Sequence, residues 1–252
     1  MRQNLTIGHG AEARVIAALA REGNGPPVVW LGGYKSDMRS TKAETLDAWA
    51  ARSGRAFIRF DYSGHGESEG AFEDGTISRW LEEALAVING LVSGAPIIVG
   101  SSLGGWIALL VARRLAATGA RPPAGLVLIA PAVDFTQRLV WDRFTDDMKR
   151  QLNETGFYLR HSAYSEAPYP ITRRLIEDGR THLLLGGPVL TGCPIHILQG
   201  MQDPDVPWSH AMELVEHLPG DNVSLTLVKD GDHRLSRQED LDRMIRAVEA
   251  IA

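Results

Sequence analysis

Cysteine is almost missing from this 252-residue chain: Cys193 stands alone, which excludes an intrachain disulfide and a cysteine-based zinc finger. No apolar run approaches the ~18 residues of a membrane span. The first ten residues, MRQNLTIGHG, lack both the apolar stretch of a secretory signal and the Arg/Ser-rich pattern of a transit peptide, so a cytoplasmic protein in a reducing compartment is expected. There is no basic excess. Lys and Arg number 26 against 31 Asp and Glu, a formal net charge of −5, which argues against nucleic acid or an anionic membrane as the main partner. Internal repeats and low-complexity tracts are absent. So are an HExxH pair, a GxxxxGK[ST] loop and a full GxGxxG after the first strand, and neither a metal nor a nucleotide cofactor is expected.

What is present is alternation. Short apolar runs at Pro27–Leu31, Ala56–Phe60, Pro96–Val99, Gly125–Ala130, Pro194–Leu198 and Val223–Val228 read as strands buried on both faces, hence a parallel sheet. Helical patterns fill the intervals. Thr41–Arg52 opens on a Thr41/Glu44 capping box and stops at Gly54; Ile77–Val92, Leu103–Ala117, Pro207–Leu218 and Arg237–Ile251 follow. Leu5–Ile7 and Arg14–Arg21 suit an antiparallel start. The fold class is α/β, with right-handed crossovers in one domain over residues 1–252.

About sixty residues between Ala130 and Pro194 interrupt this rhythm, more than a crossover needs. Trp141, Phe144, Met148 and Leu152 fall on one helical face, and Pro170 suits the start of a second helix ending at Gly179. Residues 133–190 are expected to form a helical cap inserted between two core strands, with ordinary crossover helices of a larger sheet as the alternative.

The most informative stretch is Ile97-Ile98-Val99-Gly100-Ser101-Ser102-Leu103-Gly104-Gly105, a strand, a G-x-S-x-G turn and an apolar helix. Such a turn lifts the central serine, Ser102, clear of the sheet at a helix N-terminus, where the dipole favours developing negative charge. A serine nucleophile needs a base, and the base needs a group to fix its tautomer. In this arrangement the chain order is Ser, acid, His. The acid falls in Gly200-Met201-Gln202-Asp203-Pro204-Asp205 after the Ile195–Leu198 run, with Asp203 preferred over Asp205, which suits a helix N-cap. The base is His233, on a polar loop after the last strand. His9, His65, His161, His182, His196, His210 and His217 have ordinary readings at a terminus, in a Gly-His-Gly turn, in the insertion, in a strand or on a helix. Acyl transfer also needs two donors for the oxyanion. The backbone N–H of Leu103 is one, and the N–H of Tyr34, in the Gly32-Gly33-Tyr34-Lys35 loop, is the other. The turn Asp61–Ser68 is expected to brace the floor of the site.

The stretches Leu31–Met38, Asp61–Ser68, Gly100–Gly105, Gly200–Trp208 and Asp232–His233 together resemble the α/β-hydrolase family, a likeness that spans nearly the whole chain. Gly33–Met38, Arg59–Gly64, Val99–Trp106 and Val206–Trp208 are similar more narrowly to a subgroup with acyl-glucuronide esterase and palmitoyl-protein thioesterase activity. The resemblance implies an α/β-hydrolase fold, a Ser102–Asp203–His233 triad, ester or thioester hydrolysis and no cofactor. The subgroup's mitochondrial transit segment has no counterpart here, so a bacterial cytoplasmic relative is expected. Other chemistries of the same triad remain alternatives, namely peptidase, C–C hydrolase and acyltransferase, as does a non-catalytic receptor on the same fold. Substrate contacts are expected from the insertion (Phe135, Trp141, Phe144, Phe157, Tyr158), and Lys35, Arg138 and Arg234 are candidates for an anionic substrate group.

Overall fold

The computed structural model describes residues 1–162, 165–220 and 222–251. The chain opens with β1 (Arg2–Ile7) and β2 (Arg14–Arg21), an antiparallel pair, followed by β3 (Asn24–Leu31). Helix α1 (Thr41–Ser53), β4 (Arg55–Phe60), α2 (Ile77–Leu91), β5 (Ile97–Ser101), α3 (Leu103–Ala117) and β6 (Gly125–Ile129) then alternate. The insertion carries α4 (Asp146–Thr155), β7 (Phe157–Ser162), β8 (Ser165–Thr172) and α5 (Arg173–Gly179). The core resumes with β9 (Ile195–Gly200), α6 (Trp208–His217), β10 (Val223–Val228) and α7 (Gln238–Glu249). Among the described residues eight strands form one sheet in the order β1-β2-β4-β3-β5-β6-β9-β10. Strands β4 to β10 of that sheet run parallel, and β2 runs antiparallel to both β1 and β4.

Successive strand residues feed opposite layers, so a strand covered on both faces must be apolar throughout. Val28 and Trp30 pack with α1 and α7, whereas Val29 and Leu31 pack with α2 and α3. Residues Leu103–Ala112 of α3 are all buried, as a helix against the centre of the sheet must be.

Helix starts follow their side chains. Thr76, Thr145 and Thr172 each accept a bond from the N–H three residues on and so cap α2, α4 and α5. The capping box expected at Thr41 does not form. Ser40 occupies the N-cap position of α1, and its side chain makes no capping bond. Gly54 ends α1 in the left-handed region at φ 66°, as its sequence position suggested.

Among its described residues the interval 133–190 holds two α-helices and shorter π and 3₁₀ turns, but also the β7–β8 hairpin, which the helical reading missed. Pro170 lies within β8 opposite Leu159, and α5 begins after Thr172, so Pro170 does not start that helix. Likewise Trp141 sits in a short 3₁₀ turn and Phe144 is extended, because the Thr145 cap starts α4 only at Asp146. Two buried carboxylate bonds tie the segment's ends together: Asp134 accepts the N–H groups of Leu184 and Leu185 at 2.8 and 2.9 Å. Replacing Thr76 with Ala is expected to lower unfolding free energy by about 1 kcal/mol in urea denaturation, the usual cost of a lost cap. An unchanged midpoint would contradict that role.

Candidate active site

The loops that follow β3, β5, β9 and β10 meet at the carboxyl edge of the sheet, where open α/β sheets hold their ligands. The turn from β5 into α3 is the tightest of them. Ser102 sits at φ 54°, a left-handed conformation rare for a residue with a side chain. Its backbone N–H donates to Ile129 O at 2.8 Å, and its carbonyl accepts the N–H of Ala132 at 3.0 Å. A Cβ on Gly104 would lie 2.1 Å from Leu31 O, and one on Gly100 would lie 2.3 Å from Gly104 O. Only glycine allows this approach.

The side chains of Ser102, His233 and Asp203 form one chain of hydrogen bonds. His233 Nε2 lies 3.2 Å from Ser102 Oγ, and His233 Nδ1 lies 2.7 Å from Asp203 Oδ2. With a carboxylate at Nδ1 the imidazole keeps its proton there, which leaves Nε2 to accept from the serine hydroxyl. Asp203 is buried, and its second oxygen accepts the N–H groups of Asp205 and Val206 at 2.9 Å each. Gln199 Nε2 donates to Gly200 O and Val206 O at 3.0 Å each and reaches Asp203 Oδ2 at 3.3 Å. Asp205 is neither the histidine's partner nor an N-cap: Pro207 holds the N-cap position of α6, and Asp205 pairs with Arg160 at 3.3 Å. Ligand atoms of Asp203, Asp205 and His233 lie within 4.8 Å of one another, as a metal site would require. The bonds just described already engage both Asp203 oxygens and His233 Nδ1, so the cluster satisfies itself.

Leu103 is the first residue of α3, so its N–H has no carbonyl one turn back within the helix. Across from it, the Gly33–Ser36 turn closes with Ser36 N–H on Gly33 O at 3.0 Å, and Lys35 takes φ 60°. The Asp61–Ser68 segment holds this loop. Lys35 N–H donates to His65 Nε2 at 3.1 Å, and Met38 N–H donates to Asp61 Oδ1 at 2.6 Å. His65 Nδ1 in turn donates to Ser63 O at 3.1 Å. A ring that accepts at Nε2 must be neutral, and burial agrees, pulling His65 down to about 4. Burial pushes the Asp61 carboxyl up, against the opposing pull of its two N–H donors. The Tyr34 phenol donates to Pro170 O at 2.8 Å and packs against Phe72, Phe135 and Tyr169, so it joins the loop after β3 to the inserted hairpin.

A cavity of about 610 Å³ opens over Ser102 and His233. Its lining includes apolar Ala132, Phe135, Leu139 and Val206, the aromatic rings of Trp30 and Tyr169, the hydroxyl-bearing Ser40 and Ser236, and the basic Lys35, Lys42, Arg160 and Arg234. Of the expected substrate contacts Lys35, Phe135 and Arg234 line it. Trp141 and Phe144 do not. Trp141 lies under the cations of Arg180 and Lys149, at 4.7 and 5.4 Å, and Phe144 packs on Tyr158 at 4.9 Å. Phe157 is exposed, and Arg138 pairs with Glu213. Sequence reasoning missed Gln199, Trp30, Ser40 and Lys42, which carry no motif; His65 had one, the Gly-His-Gly turn, read only as a turn.

His65 gives a pH prediction. Its folded value lies below its ordinary 6.5, so the unfolded chain binds the proton first as pH falls. This contribution to stability is complete above pH 6.5 and is lost towards pH 4, about 2–3 kcal/mol by pH 4.5. Urea unfolding of wild type and His65→Gln at pH 7 and 4.5 reads it. The variant should lose less stability over that interval, and equal losses would contradict the brace.

Residues 26–247 match the alpha/beta hydrolase family. The chain is 34% identical over 233 residues to the palmitoyl-protein thioesterase ABHD10, mitochondrial, of Bos taurus, covering 90% of this chain and 73% of that protein. A solved structure from Agrobacterium vitis S4 superimposes with a TM-score of 0.96 at 53% identity, over 100% of this chain and 98% of that one. The mouse alpha/beta hydrolase domain-containing protein 10 superimposes with a TM-score of 0.88 at 28% identity, over 99% and 98% of the two chains. Among the described residues no helix is long and apolar enough to cross a membrane. With its sheet order, its strand–turn–helix at Ser102 and these likenesses, the chain belongs to the alpha/beta hydrolase family.

Proposed function

We propose that this protein is a serine hydrolase that cleaves carboxylic esters or thioesters through an acyl-enzyme. The observation that carries the reading is the continuous Ser102–His233–Asp203 hydrogen-bond chain at the floor of an accessible cavity. The likeness to relatives named palmitoyl-protein thioesterase supports the bond type.

In this mechanism Ser102 Oγ attacks the acyl carbonyl while His233 Nε2 takes its proton. Asp203, held by two backbone N–H groups, keeps the imidazole oriented and stabilises the cation that forms. The carbonyl oxygen becomes an oxyanion, received by the N–H groups of Leu103 and Tyr34. His233 then gives the proton to the departing alcohol or thiol. In the second half it deprotonates water, which attacks the acyl-enzyme carbonyl and releases the acid and Ser102. Every proton moves through one imidazole, so the cycle needs no cofactor.

The insertion at residues 133–190 acts in this reading as a cap on a single hydrolase domain. It contributes Phe135 and Leu139 to the cavity lining, apolar side chains that suit an acyl chain, and Arg160 and Tyr169 from its hairpin. Because the Tyr34 phenol holds Pro170, cap position and oxyanion loop are mechanically linked.

Rates on p-nitrophenyl esters and acyl-CoA thioesters test the proposal. Ser102→Ala should lower kcat on the order of 10⁶-fold, and Asp203→Asn by about 10⁴. Wild-type rates in Ser102→Ala, or a preference for amides over both ester classes, would overturn it.

A further inference from the structure

The loop after β10, which carries His233, holds a strained residue. Leu235 sits at φ 43°, a left-handed conformation that a leucine side chain disfavours and that persists only where its surroundings over-determine it. Its side chain is buried in the core cluster shared by α1 and α7. Within the loop, Asp232 Oδ1 accepts the Leu235 N–H at 2.9 Å, and Ser236 Oγ donates to Arg234 O at 3.0 Å. A further tie comes from another element. Lys42 Nζ donates to Arg234 O and, at 3.3 Å, to Ser236 Oγ. One ammonium thus binds the residues on both sides of Leu235, and the first of them directly follows His233.

Lys42 stands where a lysine is unfavourable. It is the second residue of α1, in the first turn, where the helix dipole repels a cation. Burial pulls its ammonium down to about 8, with Asp232 opposing, Arg234 reinforcing and Asp240 of α7 opposing that shift. Arg237 and Arg243 in turn engage Asp240. A residue set against both its helix dipole and its own solvation is expected to serve something outside its helix. Helix α1 is a firm support for such a role. Ala43, Leu46, Trp49 and Ala50 are buried, and Trp49 Nε1 donates to Glu249 Oε1 of α7 at 2.9 Å.

We propose that Lys42 is a positioning residue for the base: its ammonium holds the loop after β10 in the place where His233 Nε2 meets Ser102 Oγ. The role rests on the hydrolase reading above, in which that imidazole moves every proton. Bonds from an ammonium to carbonyl and hydroxyl oxygens are charge-assisted and stronger than neutral ones. Without them Leu235 relaxes towards a commoner backbone angle, and the imidazole two residues away shifts with the chain. A misplacement of roughly 1 Å costs on the order of 10²-fold in rate. Loss of the ammonium's proton above pH 8 weakens the tie in the same direction, so wild-type activity carries an alkaline limb. Lys42→Arg, whose guanidinium keeps its charge, removes that limb.

Turnover of p-nitrophenyl acetate and butyrate across neutral and alkaline pH reads the role. At neutral pH Lys42→Met should lower kcat by roughly 10- to 100-fold and leave KM within about twofold, since the base is displaced and the substrate contacts are not. Lys42→Arg should stay within several-fold of wild type. Above pH 8 wild type should lose kcat while Lys42→Arg keeps it. The low-field proton resonance of His233 Nδ1–H, assigned by its loss in His233→Gln, reads the imidazole without turnover. At neutral pH it should be sharp in wild type and Lys42→Arg, and broadened or shifted in Lys42→Met. If wild type turns over neither ester yet the resonance follows this pattern, the hydrolase reading falls and the positioning role stands. An unchanged kcat or resonance in Lys42→Met, a rise in KM alone, or an alkaline limb shared by wild type and Lys42→Arg would overturn the role. Should Lys42→Met fail to fold, the alkaline limbs of wild type and Lys42→Arg decide it.

Discussion

Backbone contact between the end of β3 and the first turn of α3 is the constraint on which the site depends. Leu31 O lies where a Cβ of Gly104 would have to be, so the helix can start against the sheet only if residue 104 has no side chain. That approach forces the turn to be short, and a short turn leaves Ser102 at a positive φ with its side chain lifted from the sheet. It also sets the loop after Leu31 beside the serine: a Cβ on Gly33 would touch Ser102 Cβ at 3.4 Å. Serine, helix N-terminus and the Tyr34 loop are therefore consequences of one packing contact.

A second close approach organises the other half. A Cβ on Gly200 would meet Gly231 O at 2.4 Å, and Gln202 N–H donates to that same carbonyl at 2.8 Å. The loops that carry Asp203 and His233 are thus bound to one another before their side chains meet. His65 and Asp61 perform the corresponding service for the loop after β3, taking the N–H groups of Lys35 and Met38. Each mobile-looking loop at the sheet edge is held by buried polar bonds to its neighbour, and such bonds are costly to break in a low-dielectric setting.

The core was legible because doubly covered strands leave a continuous apolar trace, and six such runs lie within the observed strands or extend them by a residue or so. Ser102, Asp203 and His233 were legible through chain order and turn glycines, and these are the side chains that meet. The insertion was not. Its hairpin alternates Leu159 and Arg160 without turn signals strong enough to mark a ribbon, and a helix-like spacing from Trp141 to Leu152 is broken by the Thr145 cap. Trp141 and Phe144 consequently looked like pocket residues but pack within the insertion and against its cations. Trp30, Ser40 and Lys42 were invisible as a group, since only the fold brings a strand end and a helix start to one cavity.

The chemistry proposed for the site reduces to whether one hydroxyl is activated by one imidazole. A fluorophosphonate probe reports this directly, because it reacts with an activated serine and leaves a covalent mark that mass spectrometry can map. The account predicts a single adduct on Ser102 in the wild-type protein and little or none in His233→Gln. An adduct on another residue, or labelling of Ser102 at the same rate without the histidine, would contradict it.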